Sequence, residues 1–156
     1  MAVIHQLGDA PRRALGPRRE PRPLTEERST CALTAAPDAP AHGRAWLRAD
    51  LGSDLDEGER DRALLLLSEL ITNAVRHADA REDGQVAVEG WRYDRRLRVE
   101  VRDGGSGHSQ PAVAAHPDAR GGFGLMLVEC LSDDWGWTHS DGGTVVWFEL
   151  ATASQS

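Results

Sequence analysis

Between Glu59 and Ala78 the apolar residues recur every three to four positions, and at 100° per residue Leu64, Leu67, Leu70, Ile71, Ala74, Val75 and Ala78 fall on one broad stripe. A long helix with one face against a core follows. Asp56 stands where an N-cap belongs, and Glu59, three residues on, completes the pattern of a capping box. The opposite side collects Thr72, Arg76, Glu69, Asn73 and His77, of which Glu69, Asn73 and His77 are spaced i, i+4, i+8 and so project in a row. By itself such a row is ordinarily a solvated face.

The period changes to two further on. Gln85 to Tyr93 and Leu97 to Asp103 read as strands of an antiparallel hairpin joined by Asp94, Arg95 and Arg96. In the second strand Leu97, Val99 and Val101 alternate with Arg98, Glu100 and Arg102, which predicts one buried face and delivers Asp103 to the strand end. The chain then breaks into Asp-Gly-Gly-Ser-Gly and a loop, Gly107 to Arg120, with two prolines and two histidines. GGFGLMLVECL reads as glycines opening a helix, and Trp135 to His139 with Thr144 to Leu150 as a closing hairpin around residues 140–143. Upstream, Ser29 to Ala35 predicts a first strand and Pro37 to Leu51 a helix around Trp46 and Leu47. The resulting order is strand, helix, helix, strand, strand, loop, helix, strand, strand. It predicts an α+β fold, a two-layer sandwich of a mixed, largely antiparallel sheet packed against helices.

A length of 156 residues suits one globular domain. Residues 10–27 hold four prolines, few apolar residues and no period, so residues 1–28 are expected to be a disordered Arg/Pro-rich tail, with a flexible C-terminus at 152–156. The longest unbroken apolar run, Ala63 to Leu67, is far short of the roughly 18 residues of a membrane helix.

Composition removes whole classes of chemistry. All eighteen basic residues are Arg, so any site built on a lysine ammonium, such as a P-loop or a pyridoxal Schiff base, is excluded. Cys31 and Cys130 lie ninety-nine positions apart with no CxxC spacing and no signal-peptide pattern, which points to reduced thiols and a cytoplasmic location. Residues 1–30 carry six Arg against four acids, leaving a net charge of −9 on the remainder, a sign that disfavours nucleic acid as a partner. His108, His116 and Cys130 match no closed zinc spacing. The five tryptophans suit core or partner packing better than base stacking.

Three features then call for one explanation. They are an acid and an amide on one helix face, an aspartate before a glycine turn, and glycines at a helix start, where bare backbone N–H groups and the positive dipole end favour an anion such as phosphate. Glu69-Leu-Ile-Thr-Asn73-Ala resembles the N-box of the Bergerat-fold ATPases, the superfamily of type II topoisomerases, histidine kinases and mismatch-repair ATPases. Asp103-Gly-Gly-Ser-Gly107 resembles its D-x-G-x-G box, and Gly122-Phe-Gly124-Leu125 its second glycine box. The resemblance covers residues 30 to 150, in matching order and spacing. The wording ELITNAVRHA and the closing GGTVVWFEL look closest to the bacterial anti-sigma-factor serine/threonine kinases.

That resemblance implies a Bergerat ATP-binding fold over residues 29–151, with ATP and Mg²⁺ as cofactors. Asn73 would hold Mg²⁺ through its side-chain oxygen, Asp103 would accept the adenine amino proton, and Glu69 would act as the base toward water or a serine hydroxyl. Gly105, Gly107, Gly122, Gly124 and Leu125 would line the nucleotide. The loop 107–120 would be a lid, with Arg120 near the terminal phosphate, and Thr144 would assist adenine recognition. His77 would stand beside the phosphates, or else be satisfied by the C-terminal helix dipole. The implied activity is phosphorylation of an anti-anti-sigma protein by a regulator that also binds a sigma factor, as a possible homodimer with no membrane contact. Two alternatives are an ATP-dependent protein-binding module without phosphoryl transfer and a stand-alone histidine-kinase-like ATPase domain. Against the second, the residues before the domain are few and Pro-rich for a helical dimerisation hairpin.

Overall fold

The computed structural model of the chain describes residues 27–78, 84–93, 95–104, 123–140 and 143–153. They form strand β1 (Glu27–Thr34), helices α1 (Ala39–Asp50) and α2 (Glu57–Ala78), strands β2 (Gln85–Tyr93) and β3 (Arg96–Asp103), helix α3 (Phe123–Leu131), and strands β4 (Asp134–Ser140) and β5 (Gly143–Ala151). This is the predicted element order. The five strands make one sheet, β1-β2-β3-β5-β4, with all four pairings antiparallel. No described helix is long and apolar enough to cross a membrane.

The capping box forms as read. Glu59 N–H donates to Asp56 Oδ1 at 2.7 Å, and Asp56 N–H donates to Glu59 Oε2 at 3.0 Å. The apolar stripe of α2 then packs on the sheet, with Leu67, Leu70 and Ile71 buried in one core cluster with Val99 and Phe148. The buried arc is wider than the predicted stripe, since Ala63 and Leu66 are also buried, whereas Leu65 is exposed. Helix α1 lies close against α2 because Gly43 has no side chain there; a Cβ would collide with Ile71 Cδ1.

β3 departs from the half-buried pattern. Arg98 and Glu100, expected on a solvated face, are 3% and 5% exposed. β3 is the middle strand, and its charges are satisfied across the sheet. The Arg98 guanidinium donates to Glu100 Oε1 at 2.9 and 3.0 Å and to Glu149 Oε1 at 2.9 Å, and lies 4.0 Å from the Trp147 ring centroid. Tyr93 OH and Arg96 also donate to Glu149, at 2.9 and 3.0 Å. Burial, together with the charge and hydrogen bond of Glu149, pushes the Tyr93 hydroxyl up to about 12, against the opposing pull of Arg98 and Arg96.

The boundaries also differ from the sequence reading. β1 begins at Glu27, inside the segment assigned to the tail. Thr152, assigned to a flexible end, is buried and donates its N–H to Arg95 O at 2.7 Å, and Ala153 N–H donates to Glu59 Oε1. Backbone groups leaving β5 thus find acceptors on the β2–β3 turn and on the α2 cap. Trp135 and Trp137 pack on the helix side of the sheet, while Trp147 stacks on Arg98 at the other face. Cys31 and Cys130 are free thiols. Desolvation, with a smaller push from the nearby Asp50 charge, raises the Cys31 pKa.

Candidate functional site

Among the described residues, Asn73 and Asp103 lie toward the same end of the sheet, as the hydrogen bonds at the opposite end require. Glu59, at the start of α2, bonds the chain just beyond β5, so the N-terminal end of α2 sits at the Arg95 end of the sheet. The helix therefore runs its Asn73 end toward the opposite edge, where β1 and β5 meet the start of β2 and the end of β3. Ala35 N–H closes that edge onto Gly84 O at 2.6 Å. Asp103 ends β3 at the same edge, and α3 is the next described element of the chain.

Glu69 and Asn73 are half-buried on α2, at the margin of the packed arc rather than on its solvated back, while Arg76 is exposed. An acid and an amide at that depth can meet a ligand without being swept fully into bulk water. Thr72 is spent locally, its hydroxyl donating to Ser68 O at 2.8 Å. His77 lies in the last turn of α2, with its side chain outside the described residues.

Asp103 is the most confined acid of the set, 6% exposed at the end of the central strand. Thr144, directly opposite it in the β3–β5 ladder, is also buried, and its backbone N–H donates to Asp103 Oδ1 at 3.3 Å. Asp103 and the start of β5 are thus in direct contact through the amide of Thr144. Leu125 is buried in α3, and Gly124 lies in its first turn. Gly105, Gly107, Arg120 and Gly122, with the lid segment, His108 and His116, lie outside the described residues.

Sequence reasoning passed over Gly143, which it treated as turn material. Its φ of +115° and the Asp103 carbonyl standing where a Cβ would go set it against the end of β3. The available signal was the Gly-Gly-Thr run before the last strand. Among the described residues no group of three or more His, Cys, Asp or Glu could hold a metal ion.

The family of histidine kinase-like ATPase domains matches residues 32–150. The serine-protein kinase RsbW of Listeria innocua is 35% identical over 94 residues, covering 53% of this chain and 60% of that protein. The anti-sigma F factor of Clostridium acetobutylicum is 32% identical over 95 residues, covering 55% of this chain and 66% of that protein. The chain thus spans about 60% of the length of the curated relatives it matches first. In fold it resembles the crystal structure of the RsbU and RsbW domains of Rv1364c from Mycobacterium tuberculosis, with a TM-score of 0.64 at 24% identity, covering 88% of this chain and 35% of that one.

Proposed function

Because the chain belongs to the family of histidine kinase-like ATPase domains, we propose that it is an ATP-binding anti-sigma regulatory factor. In this reading it transfers the γ-phosphoryl group of ATP to a serine or threonine of an anti-anti-sigma protein. The relatives named as serine-protein kinases and as an anti-sigma factor support this reading. The observation that carries it is the buried carboxylate of Asp103 at the end of the central strand, held by the amide of Thr144.

The roles in this reading are as follows. Asp103, whose confinement strengthens any charge-assisted bond it makes, accepts the exocyclic amino proton of adenine. Leu125 offers an apolar surface beside the nucleotide, and the N-terminal turn of α3, with Gly124 in it, presents N–H groups to phosphate. Glu69 accepts the proton of the attacking hydroxyl as its oxygen bonds to the γ-phosphorus and the bond to the β–γ bridging oxygen breaks, leaving ADP. Thr144 holds Asp103 from the facing strand. His77, Arg120 and the glycines Gly105, Gly107 and Gly122 are assigned to the phosphate end.

Magnesium fits this donor set in one way. The described residues supply no carboxylate cage, whereas the half-buried Asn73 offers a hard amide oxygen, which suits an ion that takes most of its ligands from phosphates and water. Bound there, Mg²⁺ would neutralise charge on the phosphates. A sigma factor as partner, a homodimeric state and a cytoplasmic location belong to the same proposal.

The test is phosphoryl transfer from labelled ATP to a candidate anti-anti-sigma protein. Glu69→Ala should keep its ATP affinity while transfer slows by roughly 10²–10⁴, the contribution of a positioned base. Equal rates in the variant and the parent would remove Glu69 from its role.

A further inference from the structure

β3 pairs with β5 along its whole length, and Gly143, at the start of β5, lies against the end of β3. Its φ of +115° lies in a region that residues with a Cβ rarely enter. A Cβ there would overlap the Asp103 carbonyl oxygen, 2.9 Å from the carbonyl carbon and 3.2 Å from Gly104 Cα. Those atoms are backbone and cannot swing aside as a flexible side chain would. The next residue supplies the amide that holds Asp103 Oδ1. Bare Cα, amide and carboxylate therefore form one unit.

We propose that Gly143 is a positioning residue for purine recognition. By placing no side chain against Asp103 and Gly104, it lets the hairpin hold the Asp103 carboxylate at one rotation. That rotation selects a purine bearing an exocyclic amino group over one without it. The proposal rests on the nucleotide site described above. A side chain at 143 has to push β5 or the Asp103–Gly104 backbone away. Hydrogen bonds weaken steeply once displaced by about half an ångström or more and bent off line, so the Thr144 clamp is lost first. A carboxylate held less firmly in one orientation discriminates less between a purine that donates to it and one that does not. A site built around a fixed acceptor instead rejects the analogue lacking the donor.

The experiment compares binding of Mg-ATP and of Mg-purine riboside triphosphate, which lacks the 6-amino group, to the full chain by calorimetry. The parent protein should prefer ATP by roughly tenfold or more, the worth of one charge-assisted bond. In Gly143→Ala that preference should collapse toward equality, with affinity for the desamino nucleotide unchanged. Gly136→Ala is the control for a loosened hairpin, because its Cβ would crowd the Trp147 indole at 2.8 Å. It should lower the melting temperature and leave the preference intact.

Full preference retained in Gly143→Ala, or equal loss in Gly136→Ala, overturns the proposal. A parent protein that binds neither nucleotide removes the site itself, an outcome distinct from a failure of Gly143 alone. If Gly143→Ala does not fold, the Thr144 amide resonance of the parent protein decides. It should move on adding Mg-ATP and stay in place with the desamino nucleotide, and equal movement contradicts the role.

Discussion

Asp103 concentrates the account into one side chain. Its carboxylate is buried, its Oδ1 is held by Thr144, and it ends the strand at the centre of the sheet. Asp103→Asn keeps the shape and removes the charge. A hydrogen bond to an ionised group is worth about 1.5–3 kcal/mol, so ATP affinity measured by calorimetry should fall tenfold or more. Tyr93 makes a prediction in pH at the far face of the sheet. Its folded pKa, about 12, stands above the ordinary value of 10.0, chiefly through desolvation and then through Glu149. The stability it contributes is therefore fully present below pH 10 and lost as pH rises toward 12. Denaturation midpoints followed across that window should fall more steeply for the parent than for Tyr93→Phe. Parallel curves would mean that the Tyr93–Glu149 bond carries no such linkage.

At the scale of elements, α2 shows how far local pattern reaches. Its cap and its stripe were legible, because each rests on a local spacing of three to four residues. What pattern could not show is the second duty of Glu59, which accepts the Ala153 N–H from ninety-four residues away. The two capping residues should consequently differ in chemical denaturation. Asp56→Ala should cost about 1 kcal/mol, the usual loss of an N-cap. Glu59→Ala should cost more, since it strips acceptors from two backbone donors. Equal losses would show that the link to the C-terminal end carries no energy. β3 teaches the converse. Alternation of Leu97, Val99 and Val101 with Arg98, Glu100 and Arg102 reads as a strand with one wet face. The ring of Trp147 and the carboxylate of Glu149 instead bury Arg98, and that partnership is set by the β3–β5 register, which local alternation does not encode.

Taken whole, the molecule is a two-layer sandwich whose long helix and central strands bring an acid–amide row and a confined aspartate to one edge. Antiparallel pairing makes β2 and β5 start where β3 ends, and the Glu59–Ala153 bond fixes the direction of α2 over them. The element order and the core stripe were readable from periodicity. Nothing in spacing alone says that Asn73 and the end of β3, thirty positions later, serve one site, and only the likeness of three motifs to one family suggested it. Gly143 escaped notice because a glycine in a turn gives no hint of what its missing side chain would strike. The measurement that tests the central claim most directly is a structure of the protein with Mg²⁺ and a non-hydrolysable ATP analogue. The account predicts the adenine amino group on Asp103 and the triphosphate beside Asn73 and the start of α3. A purine lying away from Asp103, or a triphosphate out of reach of Asn73, would contradict it.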